Sequence, residues 1–226
     1  MLAIIPARAG SKQLKNKNIL KIKGKPLIAH TIEAAKKSKL VTKVVVITDS
    51  RKIARVAKKF GAEVPFIRPK ELSKDTSEVM DVYLYTLEFF KKKNEIYSNF
   101  IGLLPTNPLR DSKDIDKSIR IFNRYSADSV IGMTEASYPL SWNKIIKNNK
   151  IRSFNKKFDT VSNRQIHSKT YIPNGSIFIL NKEKLKKNRN YYFKNTYAYV
   201  MPQNKSIDID NYFDFKIAKF LLEKDH

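Results

Sequence analysis

The feature that most constrains this chain is an alternation of short apolar runs with amphipathic stretches over its first 125 residues. Three runs read as buried strands: Ala3 to Pro6, Lys43 to Thr48 and Phe100 to Leu104. Helical periodicity separates or follows them at Pro26 to Ser38, Ser50 to Phe60, about Ser77 to Lys92 and Ser112 to Tyr125. This order predicts an α/β fold with a Rossmann-like, mostly parallel sheet that carries helices on both faces.

The regular alternation of predicted strands and helices ends near residue 129. We expect strands around Glu63 to Ile67 and at Ser129 to Thr134, Tyr171 to Leu180 and Tyr197 to Met201, and a terminal helix at Asn211 to Glu223. The polar segment 138–170 has little periodicity, which predicts an excursion over the site or into a dimer partner. With no internal repeat and no linker, residues 1–226 are predicted to form one domain.

The composition excludes several kinds of site and segment. The chain has no cysteine, so any metal must be held by oxygen or imidazole ligands, and with only three histidines carboxylates are the better candidates. No run approaches the roughly 18 to 20 apolar residues of a membrane span, and the opening MLAIIPARAG turns polar too soon for a signal peptide. We therefore expect a cytoplasmic protein with no membrane partner.

The net charge of +24 raises the alternative of a nucleic-acid-binding protein, since a basic surface gains affinity by releasing counterions from phosphates. The lysines are spread along the whole chain and accompany abundant Asn and Ile, which favours a solvated lysine-rich surface instead. The charge is equally compatible with a polyanionic small substrate such as a nucleoside triphosphate. We expect no nucleic-acid partner.

The loop after the first predicted strand, Ile5 to Asn18 (IPARAGSKQLKNKN), has the composition of an anion site. Its glycine, its serine and its several cations can bring N–H groups, a hydroxyl and positive charge to a polyphosphate. It matches neither the GxxxxGK nor the GxGxxG phosphate-binding pattern. From its spacing alone, phosphate binding is favoured only slightly over an ordinary basic surface loop.

A second constellation lies at SIDIDNYFDFKIA, Ser206 to Ala218. Asp208 and Asp210 alternate with isoleucines, so at strand period both carboxylates project from one face. Two such carboxylates form a hard-oxygen site suited to Mg²⁺. A DxD pattern by itself is often only a solvated strand edge.

The opening run IPARAGSK…KNKNI closely resembles the signature of the CMP-sialic acid synthetases (N-acylneuraminate cytidylyltransferases) and their relatives for pseudaminic and legionaminic acids. The resemblance implies that the triphosphate and ribose of CTP are bound here by Arg8, Gly10, Ser11, Lys12, Lys17 and Asn18. GKPLIAHTI and VVVITDS are similar to the family's first helix and second strand, and the IDID element strengthens the assignment of Asp208 and Asp210 to a magnesium ion.

Three further stretches carry the resemblance into the second half of the chain. RPKELSKDTS is similar to the family segment that reads cytosine and ribose, which implicates Arg68 and Ser77. LLPTNPLRDSKDI resembles the family's LLQPTSPLR…DI, but Leu104 stands where the family has a glutamine that faces the sugar. YIPNGSIFIL is similar to the NGAIY strand, which places Asn174 and Gly175 beside the sugar, with Arg164, Gln165 and Lys169 as candidates for binding its carboxylate.

The resemblance implies an Mg²⁺-dependent transfer of CMP from CTP to the anomeric hydroxyl of an acidic nine-carbon sugar of the sialic acid type, with release of pyrophosphate. Arg8, Lys12 and Lys17 are implied to stabilise the leaving group, and a homodimer is implied as well. Leu104 keeps open a different acceptor, such as legionaminic, pseudaminic or a Kdo-like acid. A non-catalytic nucleotide- or nucleic-acid-binding protein is the alternative from another class.

Overall fold

A six-stranded sheet forms the centre of the protein in a computed structural model, which describes residues 1–10, 13–74, 76–154 and 168–224. The strands in chain order are β1 (Leu2–Pro6), β2 (Lys21–Ile22), β3 (Lys25–Pro26), β4 (Lys43–Ile47), β5 (Asn99–Gly102), β6 (Ser129–Glu135), β7 (Lys144–Lys147), β8 (Lys150–Ser153), β9 (Tyr171–Asn181) and β10 (Thr196–Val200). The central sheet has the order β10-β6-β9-β5-β1-β4, while β2 with β3 and β7 with β8 form two separate hairpins.

Six α-helices accompany these strands: α1 (Leu27–Lys37), α2 (Arg51–Lys59), α3 (Val79–Lys91), α4 (Ser112–Arg124), α5 (Lys182–Asn188) and α6 (Tyr212–Lys224). One hydrophobic core contains side chains of α1, α2 and α4, and a second contains side chains of α3 and α5. Strand β1 supplies Ala3 and Ile5 to the first core and Leu2 and Ile4 to the second. Helices therefore cover both faces of the sheet, as predicted. Burying a leucine or isoleucine side chain such as Leu2 or Ile4 contributes about 1.5–3 kcal/mol to stability.

Strand direction differs from a fully parallel sheet at one position. β1 pairs in parallel with β4 and β5, and β10 pairs in parallel with β6, but β9 runs antiparallel to both of its neighbours. Its pairing with β6 shifts register between Ile131 and Met133, and Gly175 within this irregular stretch has φ +71°. The bulge turns Asn174 and Gly175 out of the regular ladder toward the carboxyl ends of the parallel strands.

Most predicted elements are present with boundaries that differ by one or two residues. The predicted strand at Glu63 to Ile67 is the exception: Glu63 and Ile67 form only isolated bridges to Val45 and Thr48. Pro65 lies between them and has no N–H to donate to a ladder, which explains the interruption. The sequence analysis also missed α5 and the two hairpins.

The predicted excursion at 138–170 contains a short 3₁₀ helix (Leu140–Trp142) followed by the β7–β8 hairpin. Residues 155–167 of this segment lie outside the described part of the chain. No helix in the described ranges has both the length and the apolar composition to cross a bilayer.

Candidate functional site

A cavity of about 240 Å³ opens where β1 and β5 end. Its lining residues come from three distant stretches of the chain: Pro6, Arg8, Lys17, Asn18, Leu104, Pro105, Thr106, Asp208 and Asp210. The carboxyl ends of parallel strands are where α/β sheets bind ligands, because the loops that follow them diverge there. The cavity therefore occupies the position that the strand pattern predicts.

The loop after β1 is attached to the fold by hydrogen bonds at both ends. The Ala9 N–H donates to Asp49 Oδ1 at 2.7 Å, and the buried Asn18 donates from Nδ2 to the Arg8 carbonyl at 2.9 Å. Asn16 adopts φ 58° immediately before a 3₁₀ turn over Lys17–Ile19, a left-handed conformation that asparagine tolerates well. These contacts bring Arg8 and Lys17 to the same cavity.

Lys17 connects this loop to the aspartate segment. Its Nζ donates to the Ile209 carbonyl at 2.7 Å and to Asp210 Oδ1 at 3.1 Å. Both contacts join residues more than 190 positions apart in the chain. The Lys17 ammonium thus lies beside one of the two carboxylates predicted to bind metal, and positive and negative groups face each other across the cavity.

The aspartate segment itself is held by core packing rather than by a strand ladder. Ser206 to Asp210 belongs to no strand, which corrects the expectation of strand geometry, although both carboxylates do line one cavity. The Ile209 N–H donates to the Thr106 carbonyl at 2.9 Å, and the Ile209 side chain is fully buried in a small third core. Burial of Ile209 is what directs its two neighbours toward the cavity.

Asp208 and Asp210 differ in their surroundings. Burial raises the pKa of Asp208, and the negative charge of Asp210 acts in the same direction, while the Thr106 side chain opposes both effects. Asp210 is largely exposed, and its N–H donates to Asp214 Oδ2 at the start of α6. The two carboxylates are therefore one half-buried group and one group open to solvent.

The residues present fit a magnesium ion that shares its coordination with a ligand. Within the described ranges, no group of three or more His, Cys, Asp or Glu side chains could hold a metal. Asp208 Oδ1 is buried and has no hydrogen-bond partner there. Mg²⁺ is commonly bound through one or two carboxylates with water and phosphate oxygens completing its shell, so the Asp208–Asp210 pair suits it.

Asn174 and Gly175 lie against the aspartate segment, next to Ser206 and Asp208. Asn174 Nδ2 donates to Ser206 Oγ at 3.0 Å, and its Oδ1 accepts from the Ser176 N–H at 3.0 Å. A Cβ placed on Gly175 would lie 2.8 Å from Asp208 Oδ2, which is closer than real Cβ contacts. The β9 bulge thus supports the aspartate segment directly, and only glycine fits at position 175.

Leu104 lines the cavity with an apolar side chain, at the position where the resemblance led us to look for an amide. Its carbonyl accepts a hydrogen bond from the guanidinium of Arg110, which also donates to the Ser176 carbonyl and to Thr31 Oγ1. Burial lowers the pKa of Arg110 to about 10. Arg110 therefore connects the β5 loop, β9 and α1 from within the fold.

Arg68, Ser77, Lys169 and Gly10, which were also predicted for the site and are described in the structure, are not among the residues that line the cavity. Arg68 is 6% exposed, and burial lowers its pKa while nearby Asp49 raises it. Ser77 Oγ donates to the Glu71 carbonyl at 2.9 Å, and Lys169 Nζ lies 3.0 Å from Glu135 Oε2. Gly10 is exposed in the loop after β1. Ser11, Lys12, Arg164 and Gln165 lie outside the described residues.

Three residues near the cavity were missed as site residues. Thr106 lines it, Asp49 accepts a hydrogen bond from the loop after β1, and Asn107 lies next to Gly175 with no exposed surface. Neither polar atom of the Asn107 side chain has a hydrogen-bond partner among the described residues, a state that costs about 1–3 kcal/mol per group. Their positions in the sequence could have indicated them, because Asp49 lies just after β4 and the other two lie in the loop after β5.

The sequence profile of a family described as Cytidylyltransferase matches residues 2–223. An N-acylneuraminate cytidylyltransferase of Escherichia coli is 34% identical over 99% of this chain, which spans 52% of that protein's length. A CMP-N,N'-diacetyllegionaminic acid synthase of Legionella pneumophila is 34% identical over 99% of this chain and 96% of its own. A pseudaminic acid cytidylyltransferase of Campylobacter jejuni is 33% identical, with 100% and 97% covered.

A solved structure of a CMP:2-keto-3-deoxy-manno-octonic acid synthetase complexed with CTP superimposes with a TM-score of 0.74. The alignment covers 100% of this chain and 99% of that one at 17% identity. At this identity the likeness concerns the fold alone, and it confirms the predicted Rossmann-like architecture.

Proposed function

Since this chain belongs to the cytidylyltransferase family, we propose that it transfers CMP from CTP to the anomeric hydroxyl of an acidic nine-carbon sugar of the sialic acid type. The hydroxyl oxygen attacks the α-phosphorus, the bond to the β,γ-diphosphate breaks, and pyrophosphate leaves. The products are a CMP-sugar, pyrophosphate and the proton of the hydroxyl. The names of the E. coli, Legionella and Campylobacter relatives support this class of acceptor.

The observation that carries the proposal is the meeting of two cations and two carboxylates in one cavity. Arg8 and Lys17 face Asp208 and Asp210 at the carboxyl ends of β1 and β5. A site that only bound an anion would gain nothing from two carboxylates unless a cation bridged them to the ligand. Nucleotide-bound metal is such a cation, so the arrangement supports chemistry on a polyphosphate.

The residues of the cavity and its surroundings have different proposed roles in the reaction. Arg8 and Lys17 stabilise the charge that develops on the departing pyrophosphate, and Lys12 is proposed to join them from the same loop. Asn18 holds the Arg8 carbonyl and with it the shape of the loop. Gly10 and Ser11 are proposed to contribute to phosphate binding, and Arg68 and Ser77 to binding of the nucleoside. Most of the rate then comes from positioning and electrostatics.

Asp208 and Asp210 are proposed to hold Mg²⁺, which when bound neutralises charge on the α-phosphate and lowers the pKa of the attacking hydroxyl. The Lys17 ammonium lies 3.1 Å from Asp210 Oδ1. When CTP binds, Lys17 is positioned to exchange this carboxylate for a phosphate oxygen.

The acceptor sugar is proposed to lie between Leu104 and the Asn174–Gly175 bulge, with Lys169, Arg164 and Gln165 as candidates for its carboxylate. Leu104 removes a hydrogen-bond donor and acceptor from this side of the pocket. The pocket should therefore prefer an acceptor with an apolar group there, such as legionaminic or pseudaminic acid, over N-acetylneuraminic acid. This is why those acids, and a Kdo-like acid, stay as alternative acceptors.

We propose further that the protein is a homodimer and acts in the cytoplasm, where CTP is made and used. The β7–β8 hairpin supports a dimer because it carries Ile145, Ile146 and Ile151 in exposed positions outside the central sheet. Exposed apolar surface of this kind marks interaction sites.

The testing experiment measures pyrophosphate release from CTP and Mg²⁺ with N-acetylneuraminic, legionaminic, pseudaminic and Kdo acids, with UTP and ATP as nucleotide controls. We expect turnover with CTP and one of the nine-carbon acids. An Asp210→Asn variant serves as the chemical control and should lose most of the rate. Folded protein that releases no pyrophosphate with any of the acids would contradict the proposal.

The alternative of a nucleic-acid-binding protein is supported by the net charge of +24 alone. It is tested with the same preparation by titrating labelled DNA and RNA between about 50 and 200 mM salt, the range over which phosphate-driven binding weakens steeply. Tight, salt-sensitive binding without CTP turnover would favour it.

A further inference from the structure

Asn107 is the least explained residue in the neighbourhood of the cavity. It follows Thr106 in the loop after β5 and has 0% exposed surface. Neither its Nδ2 nor its Oδ1 finds a hydrogen-bond partner within the described ranges of the chain. Buried polar side chains are nearly always paired, and an exception calls for an explanation. A residue kept for stability alone would be apolar here.

The neighbouring asparagine provides the contrast. Asn174 is also buried, but its Nδ2 donates to Ser206 and its Oδ1 accepts from the Ser176 N–H. Both polar atoms of its side chain are therefore paired, and the bond to Ser206 joins the β9 bulge to the aspartate segment. The Asn107 side chain lies against the same bulge but makes no hydrogen bond within the described ranges. It therefore does not hold the bulge in the way that Asn174 does.

Gly175 shows what Asn107 faces. A Cβ on this glycine would lie 3.3 Å from Asn107 Nδ2 and 2.8 Å from Asp208 Oδ2. The amide nitrogen and the carboxylate oxygen therefore flank the same point, and the glycine leaves the space between them free of a side chain. Asp208 Oδ1 is likewise buried and without a partner among the described residues. The unpaired Asn107 amide and the Asp208 carboxylate, whose Oδ2 is near the glycine and whose Oδ1 has no partner in the described ranges, thus lie close to the same point.

We propose that Asn107 is a positioning residue whose side-chain amide holds the Asp208 carboxylate in the orientation that binds the nucleotide-associated metal ion. The inference rests on the proposed function, since it assumes that Asp208 binds that ion. A ligating carboxylate is usually fixed by a hydrogen bond from a residue behind it. Asn107 is placed for this role because its Nδ2 and Asp208 Oδ2 both lie close to the Cβ position of Gly175.

The test compares Asn107→Leu, which keeps the size and branching of the side chain and removes its hydrogen bonds, with Tyr83→Phe. Tyr83 is a matched control because its hydroxyl is also buried and unpaired in the described part of the chain, but it packs against Gly102 in the second core. Mn²⁺ is titrated at fixed CTP without acceptor sugar and followed by the relaxation of water protons, with a protein-free titration subtracted. Melting temperature and metal-free CTP binding are recorded alongside.

We expect Asn107→Leu to weaken Mn²⁺ binding by about 10- to 100-fold, the range seen when residues behind metal ligands are replaced. Its melting temperature should be unchanged or higher, and its metal-free CTP affinity unchanged. Tyr83→Phe should bind Mn²⁺ like the wild type. If Asn107→Leu fails to fold, Asn107→Ala replaces it under the same criterion.

Two results would overturn the inference, and they differ in what else they reject. Equal Mn²⁺ affinity in the wild type and the Asn107 variant would reject the role of Asn107 and leave the proposed function in place. Wild-type protein that binds CTP but gains no affinity for Mn²⁺ would reject the metal site itself, and the role of Asn107 with it.

Discussion

At the scale of single residues, Asp208 shows how a functional group can cost stability. Burial raises its pKa above the value of about 4 for an exposed aspartate. Between the unfolded and the folded pKa, the folded state binds more protons than the unfolded state, so stability falls as the pH rises through this window. Above the folded pKa the whole cost of burying the charge is present.

We therefore predict that Asp208→Asn raises the free energy of unfolding at pH 7 and lowers CTP turnover by about 100-fold or more. The gain in stability should shrink as the pH falls toward 4, because wild-type Asp208 becomes protonated. Urea unfolding of both proteins between pH 4 and 8 checks this. A stability difference that does not vary with pH would contradict the buried, ionised state of Asp208.

Gly175 belongs to the same scale, because its role depends on one missing methyl group. We predict that Gly175→Ala destabilises the fold by more than Gly24→Ala does and also reduces CTP turnover. Both glycines have positive φ, +71° and +73°, so each alanine costs about 1 kcal/mol from backbone strain. Only the alanine at 175 meets Asp208, since nothing lies within 4 Å of a Cβ at Gly24. Equal losses measured by urea unfolding would show that the contact with Asp208 is unimportant.

At the scale of elements, the β7–β8 hairpin stands apart from the central sheet. Ile146 and Ile151 face each other across its strands and are 71% and 72% exposed. A two-stranded hairpin is marginally stable without a packed face. Its apolar pair is therefore expected to be covered in the working protein, and the proposed dimer would cover it.

The prediction for this element is that an Ile146→Lys, Ile151→Lys double variant is monomeric while the wild type is a dimer. Ile96→Lys is the matched control, because Ile96 is as exposed, at 75%, but lies in the connection before β5. Light scattering after gel filtration at several protein concentrations gives the masses. A double variant that keeps the dimer mass would exclude the hairpin as the contact.

At the scale of the whole molecule, the net charge of +24 sets a background of repulsion within the folded chain. Salt screens this repulsion over a Debye length that falls to about 10 Å at 0.1 M. We predict that the melting temperature of the ligand-free protein rises by a few degrees, about 2–5 °C, between about 10 and 150 mM KCl. Calorimetry with an osmotically matched sucrose series as the control checks this. A melting temperature that falls with salt would show that ion pairs such as Lys205 with Asp111 dominate over the net repulsion.

Much of the architecture follows from local patterns. Apart from Lys43 and Asn99 at their first positions, the runs that became β1, β4 and β5 are continuously apolar because both faces of the sheet are covered, and that pattern is visible without a structure. The prediction of a strand at Glu63 to Ile67 was wrong because pairing depends on which N–H groups are available, and Pro65 has none. The antiparallel direction of β9 was missed because a buried strand has the same apolar pattern in either direction.

For the site, the sequence alone determined which residue types could act together: a cationic loop after the first strand and two aspartates flanking buried Ile209. Only the tertiary structure decided that they share a cavity, since Lys17 and Asp210 are 193 positions apart and meet through the fold. It also decided that the Asn107 side chain lies near Gly175 and Asp208 with no hydrogen-bond partner in the described part of the chain, a fact with no local signature. Periodicity records whether a residue faces the core, because burial is a local property of a strand or helix. Which polar groups are left without partners depends on every element packed around them, and that is known only once the chain is folded.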